Sequence, residues 1–215
     1  VEFPLEKVKD WQFEERLTKE FEAVGFFISN HPINDYKDIF EVYQIQNYND
    51  FILSNAEECN LASTILKIQE RKTQKGNSYA IMRLSDLGGN FELFIFADLL
   101  EQNRDIIKEG SSILITVLRD KRNEDNRFKR INVRKIVGLK EFTNRSLSKI
   151  LIEIDNKEVI NKLSEIISVK GDTKVQIKIK NEEESFLFEL VDKRMVNKDI
   201  LRILKKEPNL KRISY

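Results

Sequence analysis

Cysteine is almost absent from this sequence, since Cys59 is the only one among 215 residues. A single cysteine excludes a disulfide framework and a cysteine-ligated zinc site within the chain. No run of about 18 apolar residues occurs, so no segment is predicted to span a membrane. No signal peptide is visible either. We therefore expect a cytoplasmic protein with no membrane partner.

Histidine is equally scarce, and the residues of common catalytic sites are missing with it. His31 is the only histidine, and it precedes Pro32 in a turn-like stretch. No nucleophile with an orienting carboxylate accompanies it, which favours a structural role. Neither common glycine-rich phosphate loop occurs, and no cluster of side chains has the spacing of metal ligands. The sequence predicts no catalytic residue, no metal ligand and no cofactor in this chain.

Charge is abundant but unevenly distributed. Residues 1–60 carry 5 Lys and Arg against 13 Asp and Glu, whereas residues 61–137 carry 15 against 10. Residues 138–215 carry 17 against 13. An acidic first segment followed by a basic middle is compatible with a middle region that binds phosphate, although ordinary surface charge has the same composition.

The middle region has the pattern of a small β-barrel. Strands are predicted over 61–70, 78–86, 91–96, 112–118 and 128–137, with a helix over 97–108. Loops over 71–77 and 119–127 and a turn over 87–90 connect them. The order of three strands, a helix and two strands is that of the OB-fold, which binds oligonucleotides on its second and third strands and in two of its loops.

Cations and aromatic residues are placed where an OB-fold would use them. Cations in the loops would follow a phosphate backbone, and aromatic rings would stack on bases. Tyr79 and Phe94 are the aromatic candidates, and Arg83 shares a strand face with Tyr79. The cationic candidates in the two loops and the fifth strand are Arg71, Lys72, Lys75, Arg119, Lys121, Arg122, Arg127, Lys129 and Arg130. Acidic residues in the second loop weaken its field, so weak, sequence-independent binding of single strands is predicted.

The regions on either side of the barrel differ in type. Residues 1–57 are predicted to be mainly helical, with helices over 14–24 and 36–43. Residues 148–215 are predicted to form a separate α+β unit. It has strands over 150–154, 174–180 and 185–191 and helices over 157–167 and 198–205, after a connector at 138–148. The fold class is thus mainly β plus α+β, in three domains over 1–57, 61–138 and 148–215.

Two groups of residues carry a resemblance to a known family. Glu20, Gly25, Phe27, His31 and Pro32 follow the pattern E-x-x-x-x-G-x-Y-x-x-x-H-P, with Phe27 in place of the usual Tyr. The segments Lys75-Gly76-Asn77, Leu84-Ser85-Asp86, Gly89-Asn90-Phe91-Glu92-Leu93 and Phe96-Ala97-Asp98 continue the likeness. Together they resemble the end of the clamp-binding region and the OB domain of the bacterial replicative DNA polymerase III alpha subunit.

The resemblance implies a non-catalytic C-terminal part of a DNA polymerase. In that family the polymerase site, its magnesium-binding carboxylates and the sliding-clamp peptide precede the OB domain. The first residue is Val1 rather than Met, and we expect a piece of a longer nucleotidyltransferase. The OB domain would bind single-stranded template DNA, and residues 148–215 would dock the tau subunit of the clamp loader.

Two other functions remain open from the sequence. The chain is alternatively a protein-interaction scaffold that does not bind DNA, or the anticodon-binding OB domain of a tRNA synthetase. Salt-dependent binding of oligonucleotides distinguishes the DNA-binding hypothesis from the scaffold. Discrimination between RNA and DNA of the same sequence tests for the anticodon-binding domain. A row of lysines at 174, 178 and 180 is interpreted as a solvated strand face, with a nucleic-acid contact as the other possibility.

Overall fold

The computed structural model describes residues 10–74, 76–120, 131–155, 158–180, 185–208 and 210–214, and of Glu14 the backbone only. This part of the chain contains ten strands in two sheets, six α-helices and one 3-10 helix. The predicted fold class, mainly β plus α+β, is confirmed. The described residues fall into two compact units. The first unit extends to Asp35 and resumes over Asn47–Ile136, and the second comprises Tyr36–Gln46 and the chain after Ile136.

The bounds of the elements are as follows. In chain order they are α1 (Phe13–Val24), the 3-10 helix (Pro32–Ile39), β1 (Ile45–Gln46), α2 (Tyr48–Leu53), β2 (Glu58–Lys72), β3 (Ser78–Asp86), β4 (Gly89–Phe96), α3 (Ala97–Gln102), β5 (Ser112–Arg119), β6 (Ile131–Gly138), α4 (Leu139–Asn144), β7 (Lys149–Ile154), α5 (Val159–Ile166), β8 (Lys170–Lys180), β9 (Ser185–Glu189), α6 (Lys198–Lys206) and β10 (Leu210–Ser214).

The sheet of the first unit runs in the order β4-β3-β2-β5-β6. Strand β2 pairs antiparallel with both β3 and β5, and β3 pairs antiparallel with β4. Alternate residues of each strand point into one apolar core, as a half-buried sheet requires. The core residues contributed by β3 and β4 are Ala80, Met82, Leu84, Phe91, Leu93 and Ile95.

A hairpin turn fixes the register between β3 and β4. One Asp86 carboxylate oxygen accepts the backbone N–H groups of Gly88 at 2.7 Å and Gly89 at 3.0 Å. Gly89 has a φ of 139°, which a residue with a side chain rarely adopts. The aspartate and glycine therefore build this turn together, and a slip by one residue would turn the buried face outward.

The N-terminal part of the first unit is held by the residues of the E-x-x-x-x-G-x-Y-x-x-x-H-P pattern. Glu20 Oε2 accepts the N–H groups of Ile28 at 2.9 Å and Ser29 at 3.0 Å, and the bond from Ser29 is the leading reason why the pKa of Glu20 is lowered. Gly25 ends α1 in the left-handed conformation, at a φ of 77°. Phe27 then packs on His31 with ring centroids 5.9 Å apart.

The second unit has a four-stranded sheet in the order β10-β7-β8-β9. Strands β7 and β8 are parallel and are connected through α5. At the two edges of the sheet, β10 pairs antiparallel with β7 and β9 pairs antiparallel with β8. The buried apolar residues of the two central strands are Ile150, Ile152, Ile154, Val175, Ile177 and Ile179. Leu163 of α5 and Leu201 of α6 are buried as well.

Several predicted boundaries are wrong. The helix predicted over 97–108 ends at Gln102, because the Asn103 amide donates to the Leu99 carbonyl at 2.8 Å and competes with the helical bond. The helix predicted over 36–43 is instead a 3-10 helix that begins earlier, at Pro32. The predicted connector at 138–148 contains α4, and strand β10 was not predicted at all.

Candidate nucleic-acid interface

Three strands of the first unit place aromatic and cationic residues side by side on one solvent-facing surface. The register aligns Arg71, Tyr79 and Phe96 in one row across β2, β3 and β4. The rows below it, which complete what we call the outer face, are Gln69-Ile81-Phe94 and Lys67-Arg83-Glu92. The opposite face of β3 and β4 is the apolar core, so none of these nine side chains is needed to fill it.

The aromatic residues of the outer face expose part of their ring surface to solvent. Phe94 is 49% exposed and Phe96 is 50% exposed, and Tyr79 is half-buried. The rings of Tyr79 and Phe94 are stacked at 28°, with centroids 6.3 Å apart. Sequence reasoning selected Tyr79 and Phe94 but missed Phe96. The alternation Phe94-Ile95-Phe96 carried the signal, since it places both phenylalanines on one face.

Most cations of the outer face have no hydrogen-bond or ion-pair partner among the described residues. Arg71 donates to Gln69 Oε1 at 3.0 Å. In the part of the chain that the structure describes, Lys67 and Arg83 have no hydrogen-bond or ion-pair partner, and both are exposed. Lys72 is exposed as well, but it lies opposite Ser78 and alternates to the other side of β2. Lys67 was missed by sequence reasoning, although its spacing from Gln69 and Arg71 indicates a shared strand face. These positive charges can therefore meet phosphates without first breaking an internal contact.

Arg119 has a different role from the one predicted for it. Its Nε donates to the Ala56 carbonyl at 2.7 Å, and its Nη2 donates to the carbonyls of Phe51, Ile52 and Ser54. The guanidinium also lies 4.6 Å from the centroid of the Phe51 ring. The side chain thus caps the carbonyl end of α2, and we replace its predicted nucleic-acid contact with this structural role.

The other predicted cations fall outside the described residues. They are Lys75, Lys121, Arg122, Arg127, Lys129 and Arg130. Their contribution to an interface stays a prediction.

A pocket adjoins the outer face where β4 meets the beginning of β6. It has a volume of about 270 Å³, and its walls include Glu92, Phe94, Phe96, Ile131 and Asn132. Because β4 and β6 lie at opposite ends of the strand order, only the folded sheet brings these residues together. Sequence reasoning therefore did not identify Ile131 or Asn132.

The ring of His31 contacts two other residues of this unit. Its Nδ1 accepts the N–H of Ile33 at 3.3 Å, and its Nε2 lies 3.1 Å from Ser85 Oγ. A neutral ring with the proton on Nε2 satisfies both contacts, and burial lowers the pKa of His31. The contact to Ser85 joins the His-Pro segment to the Leu84-Ser85-Asp86 segment, so two parts of the resemblance meet in the fold.

The second unit exposes aromatic residues in another setting. Phe186, Leu187 and Phe188 of strand β9, which we call the β9 edge, are 49%, 60% and 52% exposed. Phe188 lies opposite Ile177 and Phe186 opposite Ile179, so both rings continue a buried face of the sheet. Strand β9 is the last strand in its sheet, with one side of its backbone unpaired by any described strand.

Among the described residues, no helix is long and apolar enough to cross a membrane. No three His, Cys, Asp or Glu side chains in that part of the chain are grouped so that they could hold a metal ion.

Comparison with known proteins gives consistent results. The chain is 34% identical to the DNA polymerase III subunit alpha of Rickettsia conorii over an alignment of 114 residues, and the match covers 45% of this chain and 10% of that protein. It is 27% identical over 127 residues to the same subunit of Caulobacter vibrioides, covering 58% of this chain and 11% of the relative. For the subunit of Borreliella burgdorferi the identity is 25% over 177 residues, and the match covers 77% of this chain and 15% of the relative.

The resemblance to the DNA polymerase III alpha subunit is confirmed. The matched segments span only 10% to 15% of the length of these three alpha subunits. No family model matches the chain.

Proposed function

We propose that this chain is the non-catalytic C-terminal part of a replicative DNA polymerase alpha subunit and that its first unit binds single-stranded template DNA. The observation that carries the proposal is the outer face, where three strands in register place aromatic and cationic residues on one surface. The alpha-subunit relatives support a place in DNA replication, and the polymerase activity belongs to the longer protein.

The order of the strands supports an OB-fold for the first unit. An OB-fold barrel joins its first strand to the second and the fourth, so the path reads third, second, first, fourth, fifth. The order β4-β3-β2-β5-β6 is this path. In such a fold the outer face would cover the second and third strands, which are the usual oligonucleotide-binding surface.

The chemistry of the outer face favours single strands over duplex DNA. Stacking on Tyr79, Phe94 or Phe96 requires an unpaired base whose ring face is accessible. The neighbouring cations Lys67, Arg71 and Arg83 would follow the phosphates of the same strand. Neither kind of contact reads a base edge, so this part of the binding should depend little on sequence.

Titration of a labelled single strand at two salt concentrations tests the proposal. Changing Lys67, Arg71 and Arg83, the three cations of the outer face, together to Ala should weaken binding to all sequences. It should also lower the slope of log affinity against log salt by about 2, since each lost phosphate contact removes about 0.7. A duplex of the same sequence should bind more weakly than the single strand.

A charge-matched control is available in the second unit. Lys174, Lys178 and Lys180 lie on β8, and replacing all three with Ala removes the same charge. The salt slope should then stay at the parent value. If only the β8 variant flattens the slope, the lysine row of the second unit binds the DNA and the outer face does not.

The second unit would dock the tau subunit of the clamp loader. The resemblance suggests this partner, and the β9 edge supports it, because an exposed apolar strand at the border of a sheet is typical of protein-interaction sites. Changing Phe186 and Phe188 together to Ala should weaken binding of purified tau at least about tenfold. Unchanged affinity for tau would place the docking surface elsewhere.

A further inference from the structure

The acidic residue of the outer face is the one member that opposes phosphate binding. Glu92 lies opposite Arg83 in the β3–β4 register, yet no ion pair joins the two side chains. Among the described residues Glu92 has no hydrogen-bond or ion-pair partner, and it is exposed. A carboxylate on a cationic face repels the phosphates of a bound strand, so it weakens binding unless it contacts a donor on the ligand.

The pocket beside Glu92 has the size and walls for a single base. Its volume of about 270 Å³ lies just below the range of about 300–1,000 Å³ that is usual for drug-sized ligands. Phe94 and Phe96 supply aromatic walls, and Ile131 supplies an apolar one. A flat nitrogen heterocycle is the ligand that such walls accommodate by stacking.

The polar groups of the pocket distinguish between bases. A carboxylate only accepts hydrogen bonds, and the exocyclic amino group of cytosine or adenine donates them. Uracil and thymine present a carbonyl oxygen at the corresponding position of the ring, which the carboxylate repels. The other polar residues of the pocket, Asn132 and Tyr48, each carry both a donor and an acceptor, and the Asn132 amide donates to Asp120 at 3.4 Å. The preference for a donor on the base therefore comes from Glu92.

We infer that the pocket between β4 and β6 takes one unpaired base of the bound strand and that Glu92 makes it prefer bases with an exocyclic amino group. This inference rests on the proposed function, because the base reaches the pocket as part of a strand held on the outer face. It adds a selective position to binding that is otherwise independent of sequence.

Oligonucleotides of cytosine and of uracil, whose bases differ in the group at ring position 4 and in the proton on N3, test the inference. Oligo-dC and oligo-dU of equal length are titrated at slightly alkaline pH, where cytosine is unprotonated. The parent chain should bind oligo-dC roughly threefold to tenfold more tightly, as one additional hydrogen bond at an exposed carboxylate allows. In Glu92→Gln the ratio should approach one, since an amide can donate to uracil as well as accept from cytosine.

The same variant gives a second readout. Removing the negative charge should leave oligo-dU bound as tightly as by the parent or more tightly, which a merely damaged surface would not do. Glu165→Gln, an equal charge change at an exposed position of α5, is the matched control and should keep the parent ratio.

The outcomes separate the inference from the proposed function. If the parent binds both oligonucleotides equally, or if Glu92→Gln keeps the parent ratio, base selection by Glu92 is wrong while DNA binding by the outer face stands. If neither oligonucleotide binds the parent at low salt, the proposed function fails and the inference fails with it.

Discussion

The outer face and the β9 edge expose the same kinds of residue for different reasons. On the outer face the phenylalanines stand on the side of the sheet that is turned away from the core, together with Lys67 and Arg83, which have no partner among the described residues. On the β9 edge they continue the buried side of a sheet at its last strand. The first arrangement suits a charged, flat ligand, and the second suits an apolar protein surface. Exposure of an aromatic ring alone does not distinguish them, whereas the neighbours across the sheet do.

The largest expected effect separates the cations of the first unit into two classes. Arg119→Leu should lower the free energy of unfolding by about 2–4 kcal/mol, because the carbonyl groups at the end of α2 lose a charged donor. Arg83→Leu should change it by less than about 0.5 kcal/mol, since Arg83 is exposed and has no partner among the described residues. Denaturant unfolding of both variants checks this.

The loss of DNA affinity should rank the same two variants in the opposite order to the loss of stability. At a temperature where both are folded, Arg83→Leu should weaken binding of a single strand and Arg119→Leu should not. If Arg119→Leu is stable and binds DNA poorly, Arg119 belongs to the interface as the sequence predicted, and its structural role is wrong.

The aromatic residues provide a comparison between the two units. Phe94→Ala should lower the affinity for single-stranded DNA by about 1–3 kcal/mol if a base stacks there, with little change in the salt slope. Phe188→Ala removes an equally exposed ring from the β9 edge and should leave DNA affinity unchanged. Equal losses in the two variants would mean that DNA contacts both units. Tyr79→Ala should follow Phe94→Ala, since the two rings stack.

The smallest effect concerns pH and is confined to the first unit. His31 is the only histidine, and burial lowers its pKa below the ordinary value of about 6.5. The unfolded chain therefore binds the proton more readily than the folded one. Stability should fall as the pH drops from about 6.5 through the lowered pKa, and should recover as the pH rises again.

A histidine variant isolates that effect. His31→Gln should flatten the dependence of the melting temperature on pH in this mildly acidic range, while lowering the melting temperature at neutral pH. If the parent melts at the same temperature throughout the range, the assignment of a neutral His31 ring that bonds to Ser85 and Ile33 is wrong.

The faces of the strands could be predicted from the sequence, because alternation has a period of two that is visible in a single strand. Tyr79 and Arg83 were assigned to one face of β3 in this way, and the structure agrees. Strand β10 escaped prediction because its register shifts between Leu210 and Arg212, which interrupts the alternation. A strand pattern is thus readable only where the pairing is regular.

The roles that depend on distant residues could not be predicted. Arg119 bonds to carbonyls that lie 63 to 68 positions earlier in the chain, so no local pattern distinguishes it from a loop cation. The pocket next to Glu92 needs Ile131 and Asn132, which approach β4 only through the fold. Sequence composition identified the kinds of residue in the site, and tertiary structure decided which of them are available.

Photo-cross-linking of a labelled single strand to the parent chain, with the modified residues located by mass spectrometry, tests the central claim most directly. The account predicts adducts on Tyr79, Phe94 or Phe96 that disappear when unlabelled single strand competes. Duplex DNA at the same concentration should compete less well. Adducts on Phe186 or Phe188 instead, with none in β3 or β4, would contradict the assignment of the outer face as the DNA-binding surface.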